Sequence, residues 1–192
     1  MKHPASRELF AYWEERRGKR SAPERADIEP GAIRKVLSDA FILAIDGGAG
    51  HPFRLAGTRV CALFGRELKG DPFIGLWAGA SQPVVSNLLA ILNDERVGTI
   101  AGVTAQNADG EPIDLELLLL PLSASRPSLA RTIGILAPLK EPQWLGSSPI
   151  GALTLGSRRH IGVSVETRLL PRFMAPRRSH LVVYEGGRGA GG

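Results

Sequence analysis

Apolar residues recur along this chain first at helical and then at strand spacing, and the changes of period mark its elements. In residues 6–17 (SRELFAYWEERR) Leu9 and Trp13 lie four apart with Phe10 beside them. Ser6 stands where an N-cap belongs and Gly18 where a helix stops, which predicts a short amphipathic helix. Residues 19–26 are a polar connector. Asp27 opens a second short helix, with Pro30 in its first turn and Ile33, Val36 and Leu37 on one face. At Ala40 the period shortens. AFILAI, the turn at Asp46-Gly47-Gly48 and the run Pro52 to Gly57 predict a hairpin of two strands. Thr58 starts a short helix carrying Val60, Leu63 and Phe64, and Gly65 ends it. Residues 65–77 (GRELKGDPFIGLW) are broken by Gly and Pro, so short helical turns around Phe73, Leu76 and Trp77 are expected. Residues 82–95 predict a longer helix with a wide apolar face of Val84, Val85, Leu88, Leu89, Ile91 and Leu92. Three strands follow, at Gly98 to Asn107, Pro112 to Leu122 and Arg131 to Pro138. After Ser147 the pattern weakens, and only His180 to Tyr184 reads as strand.

A hairpin followed by a three-strand meander can close into one antiparallel sheet, with the intervening helices on one face. The expected class is therefore α+β with five strands. The aromatic stripe on the 6–17 helix must cover something, either its own domain or a second copy. Spaced residues sharpen this picture: Trp13, Arg16-Arg17, Pro23, Asp27, Pro30, Arg54-Leu55-Ala56-Gly57-Thr58, Gly65-Arg66, Gly70, Trp77, Leu120-Pro121-Leu122 and Trp144-Leu145-Gly146. Their order and spacing resemble the PAS-domain superfamily, in particular compact single-domain PAS proteins of alphaproteobacteria, over residues 10–146. The stretch FRLAGTRVCALFGRELKG (53–70) is similar to the PAS segment where the second strand runs into a short helix and a glycine turn. The resemblance implies a PAS-like sheet in spatial order 2-1-5-4-3. The expected division is an amphipathic helix and connector (1–26), a PAS-like domain (27–146) and a basic, largely flexible tail (147–192).

Composition narrows the class further. The chain has 192 residues, 43% apolar and 22% charged, which is enough apolar side chain to offset the entropy of ordering. No apolar run approaches the ~20 residues that span a bilayer. The polar N-terminus does not read as a secretory signal, and the lone Cys61 suits a reducing compartment, so a cytoplasmic location is expected. The net charge of +5 belongs to the ends: residues 156–192 hold seven Arg and two Glu. A solvated tail is the plain reading of such a run, and phosphate contacts to nucleic acid are the alternative.

The sequence carries few of the residue patterns that catalysis or metal binding requires. His3, His51, His160 and His180 are scattered singly, without metal-ligand spacing, and His51 falls in a hairpin turn where a solvent-facing side chain is expected. No nucleophile elbow or phosphate loop is present, and the terminal Gly187-Arg188-Gly189-Ala190-Gly191 lacks the sheet unit of a dinucleotide site. An enzyme is not expected. Some PAS domains bond a flavin through a cysteine preceded by Asn; here Val60 precedes Cys61 and Ala62-Leu63-Phe64-Gly65 follows, so that chemistry is disfavoured. No cofactor is required. The candidate ligand pocket lies between the sheet and the 58–95 helices, lined by Phe53, Leu55, Phe64, Trp77, Leu88 and Leu117. Arg54 and Glu116 sit on strands that are not neighbours in the 2-1-5-4-3 order, so no direct bridge joins them. The candidate contact surface is Leu9, Phe10 and Trp13, for a second copy or another PAS or signalling protein. The function expected is a sensory or regulatory module that works through protein–protein contact, with room for a small ligand. The alternative is a nucleic-acid-binding protein using its Arg-rich tail.

Overall fold

Strand β4 (Pro112–Leu122) carries buried leucines on both of its faces, and the architecture follows from that. Ile113, Leu115, Leu117 and Leu119 point into one core, while Leu118, Leu120 and Leu122 point into a second. A run apolar at every position, as Leu117 to Leu122 is, needs cover on both sides, because successive side chains alternate across the sheet. The computed structural model describes residues 1–124 and 130–162. Alongside β4 it contains β1 (Ala40–Ala44), β2 (Phe53–Ala56), β3 (Gly98–Gln106), β5 (Arg131–Pro138) and β6 (Thr154–Ile161). All pair antiparallel in the order β2-β1-β5-β4-β3-β6.

One face is covered by α2 (Thr58–Phe64), a single helical turn at Phe73–Leu76 and α3 (Gln82–Glu95). The other is covered by α1 (Pro4–Arg17) and by three short turns at Arg25–Asp27, Pro30–Ile33 and Leu37–Asp39. The second predicted helix is thus a series of turns. On the inner face the rings of Phe41, Phe53, Phe73 and Trp77 pack with centroids 5.6–5.7 Å apart. Gly134 on β5 makes room for them: a Cβ there would overlap the Phe41 ring and lie 2.5 Å from the Leu118 carbonyl oxygen. Gly57 allows a second close approach. Its N–H donates to the Ala40 carbonyl at 2.8 Å, and a Cβ would overlap the carbonyl oxygens of Leu37 and Ser38.

Helix α1 belongs to its own domain. Leu9 and Trp13 are fully buried in the outer core, and the Trp13 indole N–H donates to the Pro121 carbonyl at 2.8 Å. The helix begins one turn earlier than the sequence pattern suggests: His3 is its N-cap, accepting from the Ala5 N–H, and Ser6 is buried. Glu116, facing outward on β4, accepts from the backbone N–H groups of Lys2 (2.6 Å) and His3 (3.0 Å) and so ties the start of the chain to the middle of the sheet.

A sixth strand adds to the expected five and takes residues 154–161 out of the expected flexible tail. Residues 154–161 pair with β3, although they fall in the segment taken as flexible. Their sequence, TLGSRRHI, lacks apolar alternation, since most of these side chains face solvent. The strand is instead delivered by its lead-in. Ile150 and Leu153 are buried in the inner core, and bridges Asn107↔Ile150 and Trp77↔Leu153 hold that lead-in to the domain. Gly156 passes close to Gly102, where a Cβ would sit 3.0 Å from the Gly102 oxygen, beside a register shift in β3. The strand-like run His180 to Tyr184 and the rest of 163–192 lie outside the described residues.

Candidate functional site

Four of the six candidate pocket residues come together. Phe53 on β2, Phe64 on α2, Trp77 after the Phe73–Leu76 turn and Leu117 on β4 share the inner core with the Phe41 and Phe73 rings. Leu88 is buried on α3, although outside that cluster, in which Val85, Leu89 and Leu92 represent the helix. Leu55 does not line the inner face. The register shifts between Ile42 and Leu43, so Leu43 faces Phe53 while Ile42 faces Leu55, and Arg54 becomes the extra residue of a bulge. That one-residue insertion sends Leu55 to the outer face, where it is 43% exposed.

The inner core is not wholly apolar. The Trp77 indole nitrogen and the Thr132 hydroxyl are both buried without a hydrogen-bond partner. Thr132 shares its side of β5 with Gly134 and Leu136 and pairs with Leu43, which places it towards the inner face. Buried polar atoms are normally satisfied, so this pair distinguishes the inner core from a plain hydrophobic filling. Pattern reading finds Trp77 by its position, but Thr132 sits unmarked inside an apolar strand.

His51 corrects a second expectation. It is 7% exposed, because the hairpin turn folds back and its ring closes the turn. Its backbone takes φ +59°, its N–H donates to the Asp46 carbonyl at 2.8 Å, and its Nδ1 accepts from the Asp46 N–H at 3.2 Å. Burial lowers the imidazole pKa, with the Asp46 charge opposing. Cys61 is half-buried, its Sγ 4.0 Å from the Ala56 carbonyl oxygen and 3.7 Å from Glu67 Oε1. Burial pushes the thiol pKa up, and the Glu67 charge adds to this. A raised pKa lowers the thiolate fraction on which thiol reactivity depends. Among the described residues no three His, Cys, Asp or Glu converge as metal ligands.

The candidate contact surface divides. Leu9 and Trp13 are spent inside the domain, which a helical stripe alone does not reveal. Phe10 is half-buried, stacked on Trp13 at 6.3 Å between centroids, and lies beside Gly162 at the end of β6. Glu116 and Arg54 are separated by two strands, β1 and β5, and make no bridge. No helix among the described residues is long and apolar enough to cross a membrane.

A family profile described as a PAS domain matches residues 1–137. Among solved structures the chain is similar to a variant of RsLOV, at 18% identity over 57% of this chain and 67% of that one, with TM-score 0.43. It is also similar to an RNA-binding light-oxygen-voltage receptor, at 14% identity over 61% of this chain and 35% of the receptor's, with TM-score 0.44. A third is the PAS domain of an HTR-like protein from Haloarcula marismortui, at 16% identity over 56% and 90% of the two chains, with TM-score 0.41. Among curated proteins none matches this chain.

Proposed function

Since residues 1–137 place this chain in the PAS-domain family, whose members are generally sensory rather than catalytic modules, we propose that it is a cytoplasmic regulatory module. Its output is contact with a partner protein, either a second copy or another PAS chain. The observation that supports this most is the corner where α1 meets β6. Both faces of the sheet are already covered by the chain's own helices, whereas β6 is, among the described residues, an edge strand with one row of backbone groups facing away from β3. Phe10 stands half-exposed beside the end of that strand, so an aromatic anchor and a sheet edge occur together.

A small ligand in the inner core would give the module its input. The Trp77 indole N–H and the Thr132 hydroxyl are the groups that such a ligand would satisfy. Sedimentation velocity at micromolar concentration tests the output, with Phe10→Glu as the variant. A dimer in the wild type that becomes a monomer in Phe10→Glu, with unchanged circular dichroism, is the expected result. A wild-type monomer that also binds no PAS partner would overturn the reading. Native mass spectrometry of the same sample reports any retained ligand.

A further inference from the structure

On the outer face, away from the inner core, a groove of about 330 Å³ opens between the turns at residues 25–39 and the β2 edge of the sheet. Ile42 and Ile133 form its floor, Ile28, Ile33 and Leu37 one wall, and the exposed Leu55 the other. Leu55 is the one large hydrophobic residue among those described that stands out into solvent, and the β2 bulge puts it there.

The acidic residues on the turns beside this groove each face a cation of their own: Asp27 with Arg20, Glu29 with Arg16 and Asp39 with Arg59. Arg25 is the only charged side chain lining it, and its Nη1 donates to the Ile28 carbonyl at 3.2 Å, which holds the guanidinium at the wall. One rung along the sheet from Ile42 and Ile133, the outer-face pair is Ala44 and Arg131, with the bulged Arg54 beside them. Arg131 has a local bond to the Ala130 carbonyl at 2.8 Å. Burial and the Arg54 charge both lower its pKa, as expected of two cations held close together. No carboxylate lines the groove.

We propose that this groove binds a small anionic amphiphile, a free carboxylate with a short alkyl chain. The chain would lie on Ile42 and Ile133 and the head would meet Arg25 or the Arg54–Arg131 pair. At the ~30 Å³ that a water-sized group fills, the space takes about ten heavy atoms. An apolar slot whose one charged lining side chain is an arginine selects for such a molecule over a neutral or cationic one of equal length, because only the anion gains charge-assisted hydrogen bonds. The site is on the opposite face of the sheet from the inner core and does not rest on the partner contact proposed above.

Octanoate, octanol and octylammonium, each titrated below its aggregation threshold, provide the test by amide chemical-shift mapping of the full chain. Octanoate is expected to move residues 28–42, 55–58 and 133 and to bind at least about tenfold more tightly than octylammonium. Leu55→Asp, at an exposed position, and Arg25→Glu should each weaken octanoate about tenfold or more, with circular dichroism and melting unchanged. Arg54→Glu provides a second charge reversal if Arg25→Glu alters the fold. Phe10→Glu should leave octanoate binding intact, which separates this site from the partner surface. The proposal is overturned if shifts are absent at millimolar octanoate, if they centre on Trp77 and α3, or if octylammonium binds equally well. Self-association that Leu55→Asp abolishes would also overturn it, since a second copy would then occupy the groove.

Discussion

Replacing Trp13 with alanine removes the largest side chain from the outer core and leaves the Pro121 carbonyl without its indole donor. It also ends the ring stack with Phe10 and the Arg17 guanidinium contact over the indole at 5.4 Å. Fully buried Trp→Ala changes cost about 3–5 kcal/mol, and an orphaned buried acceptor adds to the upper part of that range. Against a domain stability of about 5–15 kcal/mol, that is a large fraction of the whole. With a urea m-value of about 2 kcal/mol/M, a loss of about 4 kcal/mol lowers the unfolding midpoint by about 2 M. Phe10→Ala provides the internal comparison, because Phe10 is only half-buried on the same helix. Its loss should be about 1 kcal/mol. Urea unfolding followed by far-UV circular dichroism and by the remaining tryptophans measures both. If Trp13→Ala shifts the midpoint by no more than Phe10→Ala, with coincident transitions, then α1 is not part of the cooperative core and the account of the outer face fails.

Two further expectations can be checked on the same apparatus. Gly134→Ala should cost more than about 2 kcal/mol, because its Cβ overlaps the Phe41 ring and crowds the Leu118 carbonyl, whereas Gly79→Ala, with nothing within 4 Å, should be close to neutral. Equal midpoints for the two variants would refute this packing. Burial holds the His51 pKa below the ordinary value, so the folded chain binds fewer protons than the unfolded one. Its contribution to stability is complete above the unfolded pKa of about 6.5 and is lost as pH falls through the lower folded value. His51→Asn, which tolerates the positive φ, should flatten the slope of melting temperature below about pH 6.5, and an unchanged slope would exclude His51 as its source.

Period was the strongest guide to this fold. Strands β1 to β5, α2 and α3 all follow from apolar spacing and turn residues, and the order β2-β1-β5-β4-β3 is the one that the PAS resemblance implies. Helix α1 was visible, but a stripe of Leu9 and Trp13 looks the same whether it covers its own sheet or another molecule. The signal that could have decided it was in β4: the run Leu117 to Leu120 is apolar on both faces, so something had to cover the second face. Leu55 was misplaced because a bulge changes no residue type; Arg54 is an ordinary strand residue until the register is known. Strand β6 was missed for a different reason. An edge strand that faces solvent has no apolar alternation, and its pairing is made by backbone groups common to every residue. His51 hid in a turn whose glycines suggested solvent.

The hydrogen bonds that Glu116 accepts from the backbone at Lys2 and His3 join two well-separated stages of synthesis, 114 and 113 residues apart. Helix α1 leaves the ribosome early, yet the surface that buries Leu9 and Trp13 is complete only when β4 and then β5 have emerged, about 120 residues after Arg17. At roughly 5–20 residues per second, that is about 6–24 s of waiting. During this interval an aromatic stripe is in water with nothing of its own to cover it. The nascent chain thus presents a window for holdase capture or for premature pairing between neighbours on one message, and the window closes only when the middle of the sheet arrives.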